Sequence, residues 1–322
     1  MTPTATPPAA ARRFIWLDIL RGAALLAMAS YHFTWDLADF GYLAADFPST
    51  GWPRIYARTI ASTFLFLAGL SLYRSHRHGI RWRSFALRFG RITAAAALVT
   101  IATYLVIPRG FVFFGILHQM ALASLIGLLF LRVPAVITAA IALVIIVIPQ
   151  FYQFDALNPA WFWWIGLSAQ TRVSFDYVPL FPWLGPFLLG MVLARLGGQW
   201  LDLRQNAPGI SVTNPVKTLL SFLGRHSLVF YLVHQPVLIA MLYVYSLAVP
   251  APKADPVQQY IESCARSCKE QQSPDFCNRF CGCTLEKLEA SQLLAPLQSG
   301  AISVDNDERL NGIAMQCSSE SE

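Results

Sequence analysis

The sequence predicts an all-α fold: a polytopic bundle of about seven transmembrane helices, followed by a small extracytoplasmic helical hairpin closed by disulfides. Three observations carry this. The 322 residues are 55% hydrophobic and 13% charged, with apolar residues in long runs rather than amphipathic stripes, which a soluble core does not show. Lys and Arg collect in alternate loops between those runs. All six cysteines lie beyond the last run.

A hydrocarbon core of roughly 30 Å needs about 20 mostly apolar helical residues to cross it. Candidate spans are 14–32, 55–73, 85–107, 111–131, 134–151, 178–195 and 227–249. They lack the alternation of barrel strands, and the bilayer leaves no backbone polar group unpaired, so each is read as helix. The first run holds Asp18 and Arg21 and no convincing cleavage site follows, which makes it a retained span rather than a signal peptide.

Basic loops resist translocation, so their positions set the orientation. Arg12 and Arg13 precede span one, and Arg74, Arg77, Arg81, Arg83, Arg88 and Arg91 lie between spans two and three or at the start of three. Arg132 follows span four, and Arg195, Arg204 and Lys217 lie between six and seven. The opposite loops hold Asp36, Asp39, Asp46, Asp155 and Asp176, with only Arg54, Arg109 and Arg172. The N-terminus is therefore expected in the cytoplasm, with everything after span seven outside.

Residues 1–11, rich in Pro, Ala and Thr, read as disordered; 12–250 form the membrane domain, 251–255 a linker and 256–322 the cysteine-rich tail. No internal repeat is visible. Trp161, Trp163 and Trp164 sit between spans five and six, where aromatic rings favour the headgroup layer; they read as an interfacial anchor rather than a substrate platform.

In the tail, Cys264 and Cys268, and again Cys277 and Cys281, are four residues apart, which puts each pair on one helical face. Ser273-Pro274-Asp275 is a helix start signal between them. Two antiparallel helices would join Cys264 to Cys281 and Cys268 to Cys277, leaving Cys283 for Cys317; this is a geometric preference among many connectivities. A zinc site is the rival reading, disfavoured by the oxidising compartment.

Ionisable residues inside the spans are the informative ones, because each costs about 2.5–3.5 kcal/mol at mid-bilayer. Asp18, Arg21, Leu25, Met28 and His32 recur at spacings of three and four, and so share one helix face. Asp18 and Arg21 can pair locally, and a structural ion pair accounts for them as well as a functional role does. Asp36 follows His32 by one turn, within reach of an imidazole nitrogen, and a carboxylate so placed raises the basicity of a histidine. His118 in span four, and His234 followed by Gln235 and Pro236 in span seven, add two more polar sites. Three intramembrane histidines argue for a polar cavity within the bundle. His76 and His78 fall in the basic loop and read as solvated. That loop either attracts a polyphosphorylated donor such as coenzyme A or simply enforces topology and binds anionic lipid, the second being the expected role of most of its arginines. The chain contains no P-loop, G-x-G-x-x-G, G-x-S-x-G or H-E-x-x-H sequence, so nucleotide hydrolysis, dinucleotide redox and zinc proteolysis lack support.

Asp18-x-x-Arg21-Gly22 with Met28, Tyr31-His32-Phe33, Asp36-Leu37 and Phe40-Gly41 resembles the start of the bacterial membrane proteins related to heparan-α-glucosaminide N-acetyltransferase. Phe64-x-x-x-x-Gly69, Phe114-Gly115-Ile116-Leu117-His118 and Pro179-Leu180-x-Pro182-Trp183-Leu184-Gly185 extend the resemblance. Gly224-Arg225-His226-Ser227-Leu228 with Tyr231-Leu232-x-His234-Gln235-Pro236 also looks like the broader transmembrane acyltransferase group that modifies surface glycans. The resemblance covers about residues 12–248 and excludes the tail.

It implies transfer of an acetyl or other acyl group from cytoplasmic acyl-coenzyme A to a hydroxyl or amine of a glycan, or another acceptor, on the outer side. In that scheme His32 is the general base or transient acyl carrier. Asp36 orients it, and Arg21, His118 or Trp183 supply donors to the oxyanion. Asp18, Trp183, His234 and Gln235 are candidates for substrate binding. The expected partners are acyl-coenzyme A, the outer acceptor and membrane lipids, with no metal and no nucleic acid. The competing readings are a transporter or flippase of a small anion or lipid-linked glycan, whose path the same histidines and Arg21 would line, and a non-catalytic scaffold presenting the tail.

Overall fold

The computed structural model describes residues 15–44, 46–108, 110–170, 174–198, 214–252, 255–269, 272–299, 301–303 and 307–321. The stretch 1–11 expected to be disordered lies outside these residues, as do Arg12, Arg13, Arg109, Arg172, Arg204 and part of the linker. The fold is all-α, and the chain divides into two compact units, Met1–Ala248 and Val249–Glu322.

The first unit contains α1 (Ile15–Asp39), α2 (Gly51–His76), α3 (Trp82–Val106), α4 (Ile116–Phe130), α5 (Ala135–Val147), α6 (Leu180–Leu196), α7 (Pro215–Arg225) and α8 (Ser227–Ala248) among the described residues. Three of these, α2, α3 and α8, are long and apolar enough to cross a membrane. Ile116–Phe130, Ala135–Gln150 and Leu180–Leu196 are apolar but shorter. The chain is thus a multi-pass membrane protein. Leu98, Ile101 and Leu105 on α3, and Val233, Met241 and Val244 on α8, face outward, as side chains meeting lipid do.

Helix α1 runs beyond the expected end of span one, which brings Asp36 and Asp39 into the helix. Helix α4 starts later than the apolar run suggests, at Ile116. Residues 110–114 instead run beside 174–178, with Val178 N–H donating to the Phe114 carbonyl at 3.0 Å. That interruption places His118 in the first turn of α4 rather than deep within a span.

The core lies where α2 crosses α6. Phe187 is fully buried among Leu65, Leu72, Ala123 and Leu188. The backbones meet because a Cβ on Gly69 would fall 1.9 Å from the Phe187 carbonyl oxygen, and one on Gly190 2.0 Å from that of Phe66. Small residues that let backbones touch are how apolar helices associate where lipid offers no hydrophobic driving force.

In the second unit, α9 (Pro256–Lys269), α10 (Pro274–Ala290), α11 (Leu294–Gln298) and α12 (Glu308–Ser321) form a disulfide-rich helical region. Ser273 caps α10 by accepting from the Phe276 N–H at 3.3 Å. The bridges are Cys264–Cys281, Cys268–Cys277 and Cys283–Cys317. Leu288, Leu293, Leu294 and Leu310 make a small core. Glu320 stands close to Cys283 and Cys317, but both sulfurs are spent in their disulfide, so this group offers no thiolate to a metal.

Candidate active site

The site begins at Asp18, only 4% exposed on α1. Its Oδ1 lies 3.3 Å from Arg21 Nη1, one turn on, and its Oδ2 lies 4.0 Å from Arg225 Nε. Arg21 also donates through Nη2 to the Ser71 hydroxyl, which in turn donates to the Leu67 carbonyl. Arg225 reaches α1 because α7 packs against it at two glycines: a Cβ on Gly22 would sit 2.0 Å from the Leu220 carbonyl oxygen, and one on Gly224 1.8 Å from that of Asp18. Helix α7 lies in what the sequence presents only as a basic loop between spans six and seven; it is too short and too amphipathic to register as an apolar run.

Beside this clamp is a cavity of about 590 Å³. Arg21, Arg88, Arg91 and Arg225 line it with Asp18, so guanidiniums outnumber carboxylates, and Leu25, Phe64, Met120 and Tyr231 provide apolar walls. Arg88 and Arg91, counted in the sequence as topology determinants, are thus cavity residues on α3. His76 is also not solvated: it is 5% exposed, with its Nδ1 3.0 Å from the Leu72 carbonyl oxygen. His78 is exposed, as expected.

The faces of α1 and α8 that line the cavity continue past it. On α1, Asp18, Arg21 and Leu25 are followed by Met28, His32 and Asp36 at helical spacing. On α8, Ser227, Leu228 and Tyr231 are followed by His234 and Gln235. The two histidine rings meet edge-on, with centroids 5.0 Å apart and planes at 64°. His234 is 8% exposed and its Nδ1 donates to the Tyr231 carbonyl at 2.7 Å, which fixes the tautomer and leaves the lone pair on Nε2. Asp36 is 2% exposed, and its Oδ1 accepts from Gln235 Nε2 at 2.6 Å. The carboxylate expected to bond His32 is therefore held by α8 instead. His234 Nε2, Asp36 Oδ2 and Gln235 Oε1 are buried without a hydrogen-bond partner.

Asp176 emerges only in three dimensions. It comes from the loop before α6, and its Oδ2 accepts from the Ile116 N–H at 2.8 Å and from the Tyr231 hydroxyl at 3.2 Å. It thereby caps α4 and anchors the cavity tyrosine of α8. Gly115 leaves room for it, since a Cβ there would lie 2.2 Å from the same oxygen. Burial raises this carboxyl above its usual range, against the stabilising hydrogen bonds from Ile116 and Tyr231. In the sequence it is one of several outer-loop acids, with no local signal to single it out.

The remaining expected residues stand apart. His118 accepts from the Gly115 N–H at Nδ1, at 3.2 Å, and faces the Thr100 hydroxyl at 3.2 Å with Nε2. Both nitrogens are engaged in starting α4 and joining it to α3. Trp183 packs, half-buried, against the apolar core around Phe187. Trp161 is 74% exposed, whereas the Trp163 indole donates to the Asn158 carbonyl at 2.8 Å.

This arrangement defines a multi-pass helical membrane protein in which an arginine-lined cavity is followed, along the same faces of α1 and α8, by a cluster of His32, Asp36, His234 and Gln235. The chain belongs to the family of the heparan-alpha-glucosaminide N-acetyltransferase catalytic domain, whose model matches residues 13–236. The match takes in α1 to α7 and the part of α8 that carries His234 and Gln235, and ends before the cysteine-rich unit. Neither the curated proteins nor the solved structures yield a match to this chain.

Proposed function

We propose that this chain moves an acyl group from acyl-coenzyme A, taken from the cytoplasm, to a hydroxyl or amine of a glycan on the outer side of a bacterial inner membrane. The observation that carries this reading is the continuity of one face of α1 and one face of α8 from the arginine-lined cavity to the His32–His234 pair. The topology is seven spans, α1 to α6 and α8, with α7 lying at the cytoplasmic end and the tail outside.

Arginines bind phosphates as planar, multiply donating groups, so Arg21, Arg88, Arg91 and Arg225 suit the phosphates of the donor. The apolar walls of the cavity suit its pantetheine arm. The acyl group would then reach the histidine pair, where His32 takes the proton as the acceptor attacks the thioester carbon. Positioned proton transfer of this kind contributes about 10²–10⁴-fold in rate. Asp36 and Gln235, tied together across α1 and α8, bind the acceptor with acceptor oxygens that protein groups leave unpaired. His118 and Trp183 then serve to build the scaffold rather than to stabilise the oxyanion.

The test is release of free thiol from acetyl-coenzyme A by the purified chain, with glucosamine or glucose as acceptor. The wild-type chain should release thiol in step with acetylation, and H32A should insert normally but turn over at the background rate. Normal turnover in H32A would remove His32 from the mechanism. No thiol release with either sugar would overturn acyl transfer and leave the transporter reading in its place.

A further inference from the structure

A buried histidine nitrogen with no partner forfeits a hydrogen bond it would make in water, a loss that a ligand can recover. His234 Nε2 is such an atom, and it is the ring's proton-accepting nitrogen because Nδ1 is committed to the Tyr231 carbonyl. Its place along the path is also defined. Tyr231, which lines the cavity, is one turn before His234 on α8, about 4.5 Å along the axis. On α1 the last cavity residue, Leu25, is seven residues before His32, about 10.5 Å. His234 therefore lies one turn from a cavity residue whose ring centroid is 5.8 Å from its own, and its ring is in contact with that of His32.

We infer that His234 is a second catalytic residue, the proton carrier between His32 and the sulfur of the departing coenzyme A. This rests on the acyl-transfer reading above. As the acceptor's oxygen or nitrogen bonds to the acyl carbon, its proton passes to His32. The carbon–sulfur bond breaks and sulfur takes the electron pair. His32 turns to close on His234 Nε2 the hydrogen bond that the resting structure leaves open, the proton crosses to that nitrogen, and when His32 withdraws the thiolate takes it from there, so that coenzyme A leaves as the thiol. Both rings end neutral, and neighbouring imidazoles share one proton rather than hold two.

Two substitutions separate this role from a structural one. In H234N the side-chain amide can replace the Nδ1–H bond to the Tyr231 carbonyl but offers no titratable nitrogen; in H234Q the amide extends to the position of Nε2. Both are assayed in the full-length chain by thiol release from acetyl-coenzyme A with glucosamine, together with acetyl-coenzyme A KM and thermal unfolding in detergent. The expected result is a folded H234N with acetyl-coenzyme A KM within twofold of the parent and kcat lower by about 100- to 10,000-fold, with H234Q no better. Turnover of H234N within threefold of the parent would reduce His234 to its carbonyl contact and overturn the relay. So would a KM that rises in step with the fall in kcat, or failure of both variants to fold. A parent chain that releases no thiol sinks the acyl-transfer reading and the relay with it; an active parent with an equally active H234N sinks the relay alone.

Discussion

Asp18 shows how a single charged residue is made tolerable in a bundle of apolar helices. It is nearly fully buried, and arginines from α1 and α7 flank its two oxygens. Removing one partner of a buried pair costs about 3–5 kcal/mol because the survivor is left uncompensated. Arg21 is about a quarter exposed and Arg225 remains near Asp18, so R21A should cost less, about 1–3 kcal/mol. It should also lower activity, since Arg21 lines the cavity. The double variant D18N/R21A removes the uncompensated charge and is expected to regain stability without regaining turnover. Thermal unfolding and thiol release, read together, test this; a double variant as unstable as R21A would show that the pair does not carry the effect. This pair was legible in the sequence because both members lie on one helix at i and i+3. The Asp36–Gln235 bond, across 199 residues, was not, and Asp36 was paired instead with the histidine one turn away. Helical spacing determines neighbours within an element; it says nothing about which foreign side chain arrives from across the bundle.

At the scale of elements, glycines decide which helices touch. The contact of α7 with α1 has no room for any side chain at Gly224, where even a methyl carbon would overlap the Asp18 carbonyl. G224V should force the two helices apart, draw Arg225 away from Asp18 and destabilise the first unit by more than the about 1–3 kcal/mol of ordinary overpacking. Gly282 on α10 is the counterexample: nothing lies near its missing Cβ, so G282A should leave the fold intact and favour the helix by up to about 1 kcal/mol. Thermal unfolding of the two variants distinguishes a contact glycine from an incidental one, and a stable G224V would mean that α7 does not pack on α1 as described. Long apolar runs located α2, α3 and α8 well. The start of α4 was misplaced because Phe111–Phe114 is as apolar as the helix it precedes, and only the pairing of that stretch with the loop at 174–178 stops it from being helical. Helix α7 escaped for the opposite reason: its apolar residues alternate with polar ones at helical period, so no window of it is hydrophobic enough to stand out.

At the scale of the whole molecule, two independent features should agree on which side of the membrane the tail lies. Basic residues gather in the loops that an inside N-terminus makes cytoplasmic, and the six cysteines gather after the last span and form three bridges. The four-residue intervals and the capped second helix made Cys264–Cys281 and Cys268–Cys277 the geometrically preferred pairs, with Cys283 left for Cys317, and the structure joins the same three pairs. A unit of this size buries little apolar surface, and each bridge contributes roughly 2–4 kcal/mol by restricting the unfolded chain. Intact cells should therefore react with a membrane-impermeant thiol reagent only after reduction, and peptide mapping without reductant should recover the three pairs. Free thiols in the native protein would overturn the bridges, and labelling that requires opened membranes would overturn the seven-span topology. Deleting 256–322 should leave acyl transfer within about threefold of the full chain, since the family match ends at residue 236 and the tail is a compact unit with its own core. Complete loss of transfer in a truncation that still inserts would make the tail part of the catalytic unit.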